Sequence, residues 1–157
     1  PVQNKAQFEI VKGVLQDTQA TPAVRILTGG RPIEGPGYFV PPTLVADIAE
    51  GTRLVDEEPF GPVLPIIRYK EVADAVQRAN RTSYGLGASV WGRNTRRATE
   101  VAGQLEAGMV WVNRHVGADP TVPFGGAKQS GIGREYGIHG LRAYMEAMSL
   151  FMPPSVR

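Results

Sequence analysis

Apolar residues recur along this chain at two spacings. One has helical period, the other forms short continuous runs, and the two alternate. Phe8, Val11 and Leu15 fall on one stripe with Ile10 and Val14 beside it, which predicts a helix over Lys5–Asp17. Arg25–Thr28 reads as a short strand broken by Gly29-Gly30-Arg31-Pro32, and Gly35-Pro36-Gly37 marks another turn. Tyr38–Val45 is extended in pattern, but Pro41-Pro42 demotes it to an edge or bulged strand. Pro62–Tyr69 carries Val63, Ile66 and Ile67 as a buried strand. Val72, Ala75, Val76 and Ala79 predict a helix over Lys70–Arg81. Leu86–Trp91 is a strand closed by Gly92. Asn94 then caps a helix that reaches Glu106, with Ala98, Val101, Ala102 and Leu105 inward and Gly108 as its terminating glycine. Met109–Asn113 follows as a strand. His115–Gly133 has no period and is rich in Gly and Pro, so it is a long, functional or disordered loop. Arg134–Met148 returns to helix through Leu141, Tyr144, Met145 and Met148, and Ser149–Met152 is a last strand before Pro153-Pro154. Strands alternating with crossover helices pair in parallel, which predicts a layered α/β fold.

Composition narrows the function classes. A length of 157 residues is about one domain by the ~100–200 residue rule, and enough to bury a core. Hydrophobic residues at 42% and charged residues at 20% are an ordinary globular mix that excludes disorder. A net charge of +2 is too small to point to nucleic acid or an anionic membrane surface. No apolar run approaches the ~20 residues of a membrane span. Cys is absent, which removes disulfides, thiolate metal sites and cysteine catalysis from these residues, and two His do not make a His-rich metal site. No metal ligand and no catalytic residue is therefore assigned. No signal peptide is visible, and a cytoplasmic location is expected. The first residue is Pro1 rather than Met, so the chain reads as a fragment or a processed product.

Three constellations invite chemistry. The run Phe124-Gly125-Gly126-Ala127-Lys128-Gln129-Ser130-Gly131-Ile132-Gly133 is rich in glycine, but Gln129 follows Lys128 where a phosphate loop needs Ser or Thr. Gly131 and Gly133 would start a dinucleotide fingerprint, yet Tyr136 fills the place of its third glycine. A tight turn that packs backbone closely is the better reading. Ser130 with His115 or His139 and Asp119 fails as a nucleophile elbow, because Lys128 and Ile132 stand where glycines are needed. His139 reads as a packing or surface histidine. Asp56-Glu57-Glu58 is by itself a solvated turn. It leads, however, into the rigid Pro59-Phe60-Gly61-Pro62, where a held carboxylate could accept two hydrogen bonds from a vicinal diol. Phe60, two residues on, points to the same face of an extended chain and could pack on a flat ring.

Taken together, these residues resemble the C-terminal part of the NAD(P)-dependent aldehyde dehydrogenase superfamily over nearly the whole chain. Gly37-Tyr38-Phe39-Val40-Pro41-Pro42-Thr43-Leu44, Glu57-Glu58-Pro59-Phe60-Gly61-Pro62-Val63, Ala79-Asn80, Tyr84-Gly85-Leu86, Ala107-Gly108, Trp111-Val112-Asn113 and Pro123-Phe124-Gly125-Gly126 with Lys128, Ser130-Gly131 and Gly133 occur in the family's order. The resemblance implies a three-layer, open, twisted and mostly parallel sheet with helices on both faces. It implies that residues 1–145 are the C-terminal part of a catalytic domain and that 146–157 are an oligomerisation strand and tail. Glu58 would accept hydrogen bonds from the nicotinamide-side ribose of NAD or NADP, and Phe60 would pack beside the nicotinamide. Phe124 would line the aldehyde pocket, and His115 would begin the loop at its entrance. The partners implied are a small-molecule aldehyde and a second or further copies of the chain, as a homodimer or homotetramer, with no nucleic acid and no membrane. In the family a cysteine thiolate attacks the aldehyde, hydride passes to the nicotinamide, and a glutamate-activated water hydrolyses the thioester. The Cys and Glu motifs that do this lie upstream of the matched part. Two other readings stand beside this one: a non-catalytic truncated module acting in oligomerisation or partner binding, and a small nucleotide binder.

Overall fold

The computed structural model describes residues 1–154. The chain forms two compact units, one over Pro1–Lys70 and one beginning at Glu71. The fold is mixed α/β, and two of the three strand pairings among the described residues are parallel.

The first unit starts with α1 (Lys5–Ala20). Asn4 caps it, its Oδ1 accepting from the Gln7 N–H at 2.9 Å. Val11, Val14, Leu15 and Thr18 form its buried face, which reaches three positions past the end of the predicted stripe, and the Thr18 hydroxyl is satisfied by the Val14 carbonyl. Ile10, placed near that face by spacing, is instead 44% exposed. Pro22 prevents the helix from continuing. Strands β1 (Arg25–Thr28), β2 (Thr43–Ala46) and β3 (Val63–Ile66) form one sheet in that order, β1 antiparallel and β3 parallel to β2. A short helix α2 (Arg53–Asp56), which the pattern did not predict, lies on the crossover between β2 and β3.

The prediction that residues 38–45 make an edge strand is corrected. The strand begins after Pro41-Pro42, so neither proline removes a ladder donor, and β2 is the central strand with Thr43, Val45 and Ala46 buried. Buried Thr43 is fully used: its hydroxyl accepts from Gly30 N–H and donates to the Pro41 carbonyl, both at 2.9 Å. β3, expected to be buried, is an edge strand of this unit with only Val63 inside. It carries Pro65, whose missing N–H an edge tolerates. The core joins Val2, Val11, Val14, Leu15, Val45, Ile48, Leu54 and Val63.

In the second unit, α3 (Val72–Asn80) precedes β4 (Gly87–Val90), and α4 (Thr95–Ala102) links β4 to its parallel partner β5 (Met109–Val112). Asn94 caps α4 as predicted, accepting from Arg97 N–H at 3.0 Å. The helix ends sooner than expected, at Gly103, so Gly108 is not its stop signal. α5 (Gly137–Arg142) is also shorter than the predicted Arg134–Met148. Its apolar stripe is unburied, Leu141 at 57% and Met148 at 87% exposed, and helices without such packing are marginal at this length. The strand predicted at Ser149–Met152 pairs with nothing among the described residues; residues 145–154 form no regular element. Ser155, Val156 and Arg157, the end of the predicted tail, lie outside the described residues.

Candidate functional site

The three adjacent carboxylates of the first unit separate into three roles. Asp56 Oδ2 accepts from Gly51 N–H at 2.9 Å and closes the turn before α2. Glu57 is held by Arg53, which donates through Nε at 2.8 Å and, through Nη1, to Asp17 of α1 at 3.0 Å. These hydrogen bonds to Glu57 and then Asp17 hold the guanidinium even more firmly protonated than usual. Glu58 is exposed and has no ion pair or hydrogen bond among the described residues. The same segment is anchored on its far side. Gly61 N–H donates to the Pro59 carbonyl at 2.7 Å, and a Cβ added to Gly61 would stand 2.6 Å from Cγ2 of fully buried Val11. Glycine is needed there for contact with α1 rather than for an unusual φ. Between these anchors Phe60 holds its ring 71% exposed. A fixed strap thus presents an unpaired carboxylate and an uncovered ring two residues apart, an acceptor that fits the hydroxyls of a ribose diol and an apolar face that fits the flat ring beyond it.

The second unit builds a cavity of about 340 Å³ alongside β5 and the loop that follows it, lined by Trp111, Arg114, Val116, Val122 and Phe124 among others. Asn113, at φ +53°, ends the strand, and its side-chain amide exchanges two hydrogen bonds with Gly92, at 2.7 and 2.9 Å. His115 is not a lining residue; its ring packs against Trp111 with centroids 4.6 Å apart and planes tilted by 56°. Asp119 Oδ1 accepts from the Thr121 hydroxyl and N–H, which, with a smaller contribution from Arg114, holds its carboxyl below the usual range. Phe124 pairs its backbone with Glu135 at 2.8 and 2.7 Å and meets Tyr136 edge to face. Spacing alone missed Trp111. The signal available was an aromatic at the C-terminal end of a parallel strand, where open α/β sheets place ligands.

The glycine run is a structural turn and holds no phosphate-loop geometry. Gly85 N–H donates to Ser130 Oγ at 2.8 Å, and the Gly85 carbonyl accepts from Gly108 and Ala127. Asn80 reaches across to the Gln104 carbonyl and Glu106 N–H, and Lys128 to Asn80, Thr82 and Glu106. Four motifs that sequence reasoning treats one by one therefore meet in a single knot. A cavity of about 630 Å³ between α1 and residues 30–37 contains none of the predicted site residues. Among the described residues no cluster of three His, Cys, Asp or Glu could hold a metal, and no helix is long and apolar enough to cross a membrane.

The model of the aldehyde dehydrogenase family matches residues 1–150. The chain belongs to that oxidoreductase family. It is 42% identical over 138 residues to an aldehyde dehydrogenase of Enchytraeus buchholzi, covering 88% of this chain and 28% of the relative. It is 41% identical over 150 residues to a mitochondrial aldehyde dehydrogenase of Leishmania tarentolae, covering 96% and 30%. The NAD+ complex of an aldehyde dehydrogenase from Bacillus cereus superimposes with a TM-score of 0.91 at 37% identity, covering 99% of this chain and 31% of that one. The chain spans about 30% of the length of the curated relatives it matches.

Proposed function

We propose that these residues are the C-terminal third of a cytoplasmic NAD(P)+-dependent aldehyde dehydrogenase that oxidises an aldehyde to a carboxylic acid through a cysteine thiohemiacetal. Residues 1–145 belong to the catalytic domain and 146–157 to an oligomerisation strand and tail. The observation that carries the reading is the strap on which an unpaired Glu58 and an exposed Phe60 stand two residues apart, in a chain of this family. When bound, NAD or NADP supplies the hydride acceptor. Glu58 would hold the nicotinamide-side ribose by accepting from its hydroxyls, and Phe60 would pack beside the nicotinamide. Phe124 forms the aldehyde pocket wall with Trp111, and His115 braces Trp111 at the entrance.

Attack on the carbonyl needs a thiolate, and Cys is 0 in this chain. The purified chain, given NAD+ and a panel of aldehydes, therefore produces no NADH beyond a heat-killed control. Turnover above that control contradicts the assignment of the nucleophile to another part of the enzyme.

The chain also self-associates. Met148, Leu150, Phe151 and Met152 are each more than three-quarters exposed, and the uncharged apolar segment they form, without a ladder, recruits a second copy. Light scattering across a dilution series gives a mass above the monomer at high micromolar concentration, and a monomer mass there refutes this. The pair Leu150→Lys and Phe151→Lys shifts the mass toward the monomer if the tail is the cause.

A further inference from the structure

We propose that Lys128 is the positioning residue of the aldehyde pocket: its ammonium fixes the loop that carries Phe124 and touches no substrate. The inference rests on the reading of Phe124 as a pocket wall. The Lys128 ammonium donates to the Asn80 carbonyl at 2.6 Å and the Thr82 carbonyl at 3.1 Å, and pairs with Glu106 Oε2 at 3.0 Å. Two of its three N–H donors are taken by carbonyls, and its charge is paired with a carboxylate. Asn80 is the last residue of α3, where carbonyls lack intrahelical partners and partial negative charge gathers. One cation thus caps α3, holds the turn before β5 and anchors the glycine run.

The backbone bears a cost for this reach. Lys128 sits at φ +54°, a region residues with a Cβ rarely occupy unless their surroundings over-determine it. Its neighbours are fixed to the same strip, Ala127 N–H on the Gly85 carbonyl at 2.8 Å and Gln129 N–H on Ser83 at 3.1 Å. Only Gly125, Gly126 and Ala127 separate the anchor from Phe124. The two glycines do not act as a loose hinge. A Cβ on Gly125 would stand 2.5 Å from the Gly133 carbonyl, and one on Gly126 2.5 Å from Ser130; the Gly126 carbonyl also accepts from Arg134 at 2.7 Å. With no slack between them, a shift at Lys128 is passed to Phe124.

The test uses the full-length enzyme that contains these residues. Lys128→Met raises the aldehyde KM about tenfold, as expected for loss of a charge-assisted anchor, and leaves the NAD+ KM within about twofold. Lys128→Arg recovers part of the loss. Lys128→Gly relieves the positive φ and removes the ammonium, and raises the aldehyde KM as Lys128→Met does; wild-type behaviour of Lys128→Gly overturns the proposal. If Lys128→Met does not fold, Glu106→Gln decides. An aldehyde KM raised about twofold to threefold supports the anchor, and an unchanged one overturns it. Phe124→Ala separates the two levels of the argument. If it leaves the aldehyde KM unchanged, the pocket reading fails and this inference with it. If it raises the KM while Lys128→Met does not, the inference alone fails.

Discussion

In the full-length enzyme, Glu58→Gln slows single-turnover hydride transfer about tenfold or more, while overall NAD+ affinity falls by less. Glutamine keeps one acceptor oxygen but loses the charge that strengthens both hydrogen bonds to the ribose, a difference of ~1.5–3 kcal/mol once the site is closed over by cofactor. On the proposed reading Glu58 and Phe60 hold only the nicotinamide end of the cofactor, so binding of the rest survives. The nicotinamide end becomes loose and spends less time within reach of the reacting carbon, and small misplacements are costly at that step. Glu57→Gln is the internal control. Glu57 is one residue away, but its carboxylate is taken by Arg53, so the variant leaves hydride transfer within about twofold. A stopped-flow NADH burst separates the two. A Glu58→Gln burst as fast as wild type removes the ribose clamp from the account.

Gly108→Ala is the most damaging small substitution in the second unit. The added methyl would run into the Gly125 carbonyl and lie 3.0 Å from Gly126 Cα. Both obstacles are backbone, and neither can rotate away. The shift that relieves the clash also breaks the 2.9 Å hydrogen bond from Gly108 N–H to Gly85. Overpacking against a fixed backbone costs ~1–3 kcal/mol, and the lost knot adds about 1 kcal/mol more. Gly117→Ala is the matched control, because nothing lies within 4 Å of its added Cβ. Urea midpoints measure the difference. A Gly108→Ala midpoint equal to that of Gly117→Ala shows that the knot is not packed as described.

The parts of the fold legible in the sequence are those written locally. The α1 stripe and the Asn94 cap follow from spacings of three and four residues, and both are present. The errors share a cause in long-range packing. Pro41-Pro42 argued against a central strand, yet the ladder starts one residue later, where Thr43 N–H finds the Pro62 carbonyl. Gly108 looked like a helix stop because its close partner, Gly125, is 17 positions away in the chain. The stripe of Arg134–Met148 predicted a long helix that nothing among the described residues covers. The candidate residues divide in the same way. Glu58 and Phe60 announce themselves through a rigid, proline-punctuated segment. Trp111 and the Lys128 anchor do not, because what they do depends on residues brought from 4 to 48 positions away.

The central claim is that this chain grips the nicotinamide-side ribose through Glu58. A crystal structure of the full-length enzyme with NAD+ measures it directly. The account predicts both ribose hydroxyl oxygens within about 2.5–3.0 Å of the Glu58 carboxylate and the Phe60 ring in contact with the nicotinamide. A well-ordered nicotinamide whose ribose hydroxyls lie beyond hydrogen-bond reach of Glu58 would contradict it.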